Sequence, residues 1–251
     1  MKFFDANILY GVPSQKRMYD PIPDVETLLG KLQEFGIDKA IVHREEQFFS
    51  SPISSNAQLS DDICQVDNLW GIWTMLPPHC NEIPSPDAIL SKMKKNRIVG
   101  WQFFPVQNKY LFHWRVMKAW FELAERNHIP LFIDFAFVSE RDLFDVMDKY
   151  PELTVILRNS LVWPPDRIFR PFMSEFPNAY METSYYLTAD GIEALVADGF
   201  CKRVLFSTHF QEMHVGGPMM MVKHANISES EKSLIASENL ERIVEKVNYD
   251  Q

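Results

Sequence analysis

Residues 4–11 read FDANILYG, and residues 203–210 read RVLFSTHF. Each is an apolar run of strand length that carries polar side chains where a buried strand has little room for them. Six further β-like runs lie between them. The eight begin near Phe3, Lys39, Leu69, Ile98, Ile129, Leu153, Asn178 and Arg203. Successive starts are 24–36 residues apart, which suits a strand–helix–strand step of about 30 residues. Eight such steps make a closed parallel barrel of roughly 250 residues. The spacing predicts a single-domain (β/α)8 TIM barrel, class α/β, over residues 1–251.

The intervening segments read as helices. Val25, Leu28, Leu29, Leu32 and Phe35 recur at helical spacing, with Asp24 placed to cap the start and Gly36 to end it. Ser85-Pro86 sets a cap before a first-turn proline. Val116, Trp120, Leu123 and Ala124 share a face, and Ser139 precedes Leu143, Phe144 and Met147 as a cap. Ile168, Phe169, Phe172, Met173 and Phe176 form a stripe that Pro171 interrupts. Thr188 is expected to cap Ile192–Ala197, with Gly199 ending it. Ser228 and Glu231 form a capping-box pattern ahead of the last helix. Residues 43–59 are expected to be a long polar loop, and Gly216-Gly217-Pro218 to break regular structure.

Composition narrows the function classes. Apolar residues make up 46% and charged residues 24%, as in ordinary globular domains. The net charge of −9 argues against a nucleic-acid scaffold, which needs clustered Lys and Arg. The longest strongly apolar stretch, Ile129–Val138, contains Asp134 and is too short to span a bilayer. Cys64, Cys80 and Cys201 are far apart and form no Cys-x-x-Cys pattern. Three cysteines and no secretory apolar segment make a cytoplasmic protein the expectation.

Several segments together resemble the amidohydrolase-related family, the amidohydrolase 2-like branch of metal-dependent hydrolase and decarboxylase TIM barrels. FDANILYG resembles the family's opening Asp-x-His-x-His motif followed by Gly. GIDKAIV (36–42), VGWQFFP (99–105), PELTVILRNS (151–160), NAYMETSYY (178–186) and ASENLERIV (236–244, with Asn239) resemble its second, fourth, sixth and seventh strands and its terminal helix. The departures fall on the metal positions. By this resemblance the two strand-one histidines become Asn7 and Leu9. The strand-five histidine becomes Asp134, and the strand-six histidine becomes Asn159 beside Arg158. The strand-eight aspartate becomes His209 after Thr208. Zinc needs three or four Cys, His or carboxylate ligands, and Asn and Leu do not replace imidazole. The resemblance therefore implies the barrel and a small-molecule site, with no metal and no other cofactor.

The remaining polar groups give the candidate site. Asp134 lies in an otherwise apolar strand; it is either a buried carboxylate satisfied by Arg158 or a backbone amide, or a general base at the barrel mouth. A lone His209 is as readily structural as catalytic, but near a carboxylate it can shuttle protons. His43 and Arg44 end the second strand. Arg158, in a more apolar strand than Arg44, is the better candidate for gripping an anion. His79, Cys80, His113, His128, His214 and His224 form no His-x-His or His-x-x-x-His pair.

The leading expectation is a hydrolase or lyase acting on a small molecule at the carboxyl-end pocket. Asp134 and His209 exchange protons, while Asn7, His43, Asn159 and Thr208 orient the substrate and Arg158 holds an anionic substituent. The alternative is a catalytically degenerate small-molecule-binding protein on the same fold; a third reading is an interaction subunit with a filled barrel mouth. The expected partner is a small, anionic ligand. Neither nucleic acid nor membrane is expected, and a homo-oligomer stays open.

Overall fold

The computed structural model describes residues 1–14, 20–159 and 166–250. Eight parallel strands follow one another around the sheet in chain order. They are β1 (Phe4–Tyr10), β2 (Lys39–Arg44), β3 (Leu69–Thr74), β4 (Ile98–Gln102), β5 (Leu131–Asp134), β6 (Val155–Arg158), β7 (Ala179–Glu182) and β8 (Val204–Leu205). Every residue of β1, β4, β5 and β6 is buried. Strands covered on both faces need continuous apolar runs rather than alternation, and VILR and LFID supply them. This is the (β/α)8 barrel that the spacing predicts, in a single domain. Among the described residues, no helix is long and apolar enough to cross a membrane.

Closure comes from the two segments quoted first. The Ala6 amide donates to the Phe206 carbonyl at 3.0 Å and the Leu9 amide to the Phe210 carbonyl at 2.6 Å. Asp5 reinforces the seam, accepting from the Asn7 amide (2.9 Å), the Thr208 amide (3.2 Å) and the Thr208 hydroxyl (2.6 Å).

Most helix boundaries follow the sequence signals. Asp24 caps Val25–Phe35 by accepting from the Thr27 amide, and Gly36 ends the helix in the left-handed region. Ser139 caps Glu140–Lys149, and Ser228 forms a full capping box with Glu231. Asn239 donates to the carbonyls of Cys201 and Val204, both at 2.8 Å, tying the terminal helix to the start of β8.

Four local expectations are corrected. Residues 43–59 are largely helical, as Glu46–Phe49 and Pro52–Ile63; Ser51 caps the second helix and Pro52 fits its first turn. Gly216-Gly217-Pro218 opens the helix Gly216–His224, because a proline within the first turn forfeits no intrahelical bond. Asp190, not Thr188, occupies the position before Gly191–Ala197; Thr188 contributes only its carbonyl, to the Gly191 amide. Pro171 lies inside the helix Asp166–Glu175 without ending it. Ser160, the last residue of the strand-six motif, lies outside the described residues.

Strand register brings the polar residues together. Asp134 pairs with Arg158 across β5 and β6, and Leu9 with His43 across β1 and β2. Asn159 and His209 follow β6 and β8, both in the left-handed region at φ 51°. Non-glycine residues take that conformation at a cost of order 1 kcal/mol and are found at functional sites. Gly11, at φ 110°, ends β1 against the Glu46 carboxylate; a Cβ there would sit 2.4 Å from Glu46 Oε2. Gly11→Ala is therefore expected to cost about 2 kcal/mol in urea unfolding, since it combines a strained φ with displacement of Glu46. A change below about 0.5 kcal/mol would show that the turn relaxes freely.

Candidate functional site

A cavity of about 430 Å³ opens at the carboxyl ends of the strands. One wall is aromatic. Phe48, Phe104 and Phe137 contact one another with ring centroids 4.9–5.3 Å apart. The cavity's polar lining includes His43, Asp134, Arg158, Asn159, His209 and Glu212.

Arg158 is 2% exposed. Its Nη2 donates to Gln102 Oε1 at 3.0 Å, and its Nη1 reaches Asn7 Oδ1 at 3.5 Å. Its Nε has no hydrogen-bond partner among the described residues, and its guanidinium lies 5.8 Å from the centre of the Phe132 ring. Burial pushes the guanidinium's pKa down, against the fields of Asp134 and Glu182. Guanidinium nevertheless remains a cation in proteins. It is thus a buried positive charge whose direct partners are amide oxygens. Arg44 differs: it forms a two-pronged pair with Glu46 and a further bond to Asp62.

Two groups of fixed polarity orient everything between them. A guanidinium can only donate, and an ionised carboxylate can only accept. Asp134 accepts from Asn159 Nδ2 and from the Ala136 amide (2.8 Å). The Asn159 oxygen therefore faces Asn7, accepting from Asn7 Nδ2 at 3.2 Å. Arg158 holds Asn7 Oδ1 as an acceptor, and His43 Nε2 lies 2.8 Å from that oxygen as its second donor. The Asn7 amide nitrogen is then the donor to His209 Nδ1, 2.9 Å away. His209 consequently carries its proton on Nε2, which donates to Glu212 Oε2 at 3.0 Å. One hydrogen-bond network fixes both amide orientations and both imidazole tautomers.

Supporting groups lie beneath. Glu182 accepts from the Asn159 amide, the Ser184 amide and the Ser184 hydroxyl, all at 2.7 Å, and so holds Asn159 in its left-handed turn. Asp5 is fully buried, and desolvation pushes its pKa up to about 7 despite three hydrogen bonds that oppose the shift.

The structure gathers Asn7, His43, Asp134, Arg158, Asn159 and His209 at one mouth. Thr208 is adjacent, but its hydroxyl is turned onto Asp5 and away from the cavity, so it anchors the residue before His209. Asp134 and His209 do not bond to each other; Asn159 and Asn7 stand between them. The carboxylate on His209 is Glu212. Sequence reasoning missed Glu212, Glu182, Gln102 and the three phenylalanines. Glu182 had a readable signal, a carboxylate closing the apolar run AYME. Glu212 had none, because it enters through the turn that follows His209.

Comparison with known proteins supports the architecture. No family model matches the chain, and no curated protein matches it. Solved structures do. An uncharacterised TIM-barrel protein from Bordetella bronchiseptica covers 98% of this chain and 99% of its own at 15% identity, with a TM-score of 0.71. It shares their fold with this chain: so do 2,6-dihydroxybenzoate decarboxylase from Rhizobium and 5-carboxyvanillate decarboxylase from Novosphingobium aromaticivorans. The Rhizobium enzyme is 14% identical, covering 97% of this chain and 98% of its own, with a TM-score of 0.69. The Novosphingobium enzyme is 12% identical, covering 97% of each chain, with a TM-score of 0.73. The latter structure holds manganese and 3-methoxy-4-hydroxy-5-nitrobenzoic acid. At these identities the likeness establishes the fold.

The residues here do not fit such an ion. Leu9 offers no donor atom. Asn7 Oδ1, both His209 nitrogens and both Asp134 oxygens are already in hydrogen bonds. Among the described residues, no three His, Cys, Asp or Glu side chains group to hold a metal. A divalent ion about 5 Å from the Arg158 guanidinium would be repelled by about 7 kcal/mol at an effective dielectric constant of about 20.

Two predictions follow from this geometry. Manganese or zinc is expected to leave the Tm unchanged, as is EDTA; a rise of several degrees with either ion would reveal a metal site built from these residues. Asp5, with its raised folded-state pKa, contributes stability that is complete below pH 3.8 and is lost as pH climbs through about 7. Asp5→Asn removes that loss, so the variant's Tm relative to wild type should rise between pH 4 and pH 8. A constant difference would show that Asp5 ionises normally.

Proposed function

We propose that the cavity binds a small aromatic carboxylic acid and acts on it as a metal-independent lyase or hydrolase. The carrying observation is that the buried Arg158 cation lines the same cavity as the Phe48–Phe104–Phe137 cluster. A buried cation is costly without an anion in contact, and a ligand carboxylate supplies one in the planar geometry that guanidinium prefers. An aromatic ring then lies against the phenylalanines. The names of the Rhizobium and Novosphingobium structures point to the same chemical class. In this reading Asp134 and the hydrogen-bonded His209–Glu212 pair are the proton-carrying groups. Asn159 and His43 orient the ligand's polar substituents, Asn7, buried behind them, positions His209, and Thr208 holds the His209 turn.

A binding protein without turnover is the second reading. The favouring observation is that Asp134 and Asn7 spend their hydrogen-bonding capacity on neighbours. A proton-transfer group must be within reach of the ligand's proton, so Asp134 would have to exchange a partner.

Calorimetry with benzoate and 2,6-dihydroxybenzoate tests the proposal, with product analysis after incubation. Binding is expected without added metal, and Arg158→Gln should weaken it by about 2 kcal/mol, roughly thirtyfold in Kd. Equal affinity in wild type and variant would remove Arg158 as the anchor. Tight binding with no product would select the second reading.

A further inference from the structure

The His209 imidazole has both nitrogens engaged: Nδ1 with Asn7 and Nε2 with Glu212. These two contacts are not equivalent. The Asn7 amide is buried and pinned in orientation by Arg158 and His43 on its oxygen. The Glu212 side chain is 40% exposed, against 8% for His209, and it lines the cavity. A ligand can therefore approach Glu212, but it can reach Nδ1 only by dismantling the buried network.

We propose that proton exchange with a bound ligand runs through the Glu212 carboxylate, held in place by the Nε2 proton of His209, with Asn7 as the positioning residue that sets the tautomer. This deepens the reading of the cavity as an aromatic-acid site and rests on it.

Local geometry builds the pair. His209 takes the left-handed conformation, and its carbonyl accepts from the amides of Glu212 (3.0 Å) and Met213 (3.1 Å). That turn lays the Glu212 side chain over its own imidazole. Tyr185, just beyond β7, donates its hydroxyl to Glu212 Oε2 at 3.4 Å and sets its ring 5.4 Å from the His209 ring. Burial, together with the Glu212 carboxylate, pushes the Tyr185 pKa well above that of an ordinary phenol, so the hydroxyl stays a donor. Among the described residues, the other charged groups around the cavity are His43, Arg44, Glu45, Asp134 and Arg158. Of these, Asp134 is separated from His209 by the two asparagines.

The step is a single proton transfer. A ligand hydroxyl loses its proton to a Glu212 carboxylate oxygen; the ligand O–H bond breaks, an O–H bond forms on Glu212, and the electron pair stays on the ligand oxygen. The reverse transfer restores both partners. His209 keeps its Nε2 proton throughout and steadies the carboxylate form by hydrogen bonding.

Long-range ¹H–¹⁵N spectra of the histidine rings test this without requiring turnover. In the neutral ring of wild-type protein, His209 should show a protonated Nε2 and a bare Nδ1. Asn7→Asp replaces the donor facing Nδ1 with an acceptor, so a proton should appear on Nδ1. Should that variant fail to fold, Glu212→Leu serves: the Nε2 proton loses its acceptor and should exchange with water at least tenfold faster. Addition of 2,6-dihydroxybenzoate should shift the Nε2 signal and leave Nδ1 in place, and Glu212→Gln should reduce that shift by half or more. A wild-type ring protonated on Nδ1 would overturn the proposal. So would an unchanged pattern in Asn7→Asp, unchanged exchange in Glu212→Leu, or ligand binding that moves Nδ1 or neither nitrogen. Absence of ligand binding would instead defeat the aromatic-acid reading, while the ligand-free tautomer would still decide the role of Asn7.

Discussion

A group that can only donate and a group that can only accept stand side by side at the mouth of this barrel. Arg158 and Asp134 are register partners on adjacent strands, yet their hydrogen bonds go to amides between and beside them. That arrangement propagates. Asp134 turns Asn159, Asn159 receives Asn7, Arg158 holds the oxygen of Asn7, and the Asn7 nitrogen fixes His209. Replacing either charged residue would release amide orientations several residues away. Buried networks of this kind are costly when partly satisfied and rigid when complete.

The same arrangement explains how a barrel of this shape can present positive charge without a metal ion. In a metal site, imidazoles and carboxylates converge on one cation. Here amide oxygens converge on a cation that belongs to the chain. Its charge is balanced at longer range by Asp134 and Glu182, and the aromatic wall supplies the apolar half of an amphipathic cavity. In the proposed function, such a site would select for a flat anion through the guanidinium plane and the phenylalanine surface together.

Much of the fold was legible because barrel strands are buried on both faces and read as uninterrupted apolar runs. The starts at Lys39, Leu69 and Ile98 coincide with the observed strands, and the caps at Asp24, Ser139 and Ser228 lie where their side chains reach the next turn. Polar composition misled the reading of residues 43–59, since Ser51 is a helix cap there and Ser55 and Asn56 are buried helical residues. At the site, Asn7, Asp134, Asn159 and His209 could be anticipated because they fall where the family that the sequence resembles carries its metal ligands. Pairing could not. The partner of His209 is three residues further along the same turn, and the partners of Arg158 come from β1 and β4. Those choices depend on side-chain direction at the barrel centre, which strand spacing does not encode.

In the proposed site the chain's own cation holds an anionic aromatic ligand in place of a metal. The deciding measurement is a crystal structure of the protein with benzoate, with anomalous data collected at the manganese and zinc edges. The benzoate carboxylate is expected on the Arg158 guanidinium, with the ring against Phe48, Phe104 and Phe137 and no anomalous peak at the barrel mouth. A carboxylate bound to a metal ion among Asn7, Asp134 and His209, or a ring seated away from the phenylalanines, would contradict it.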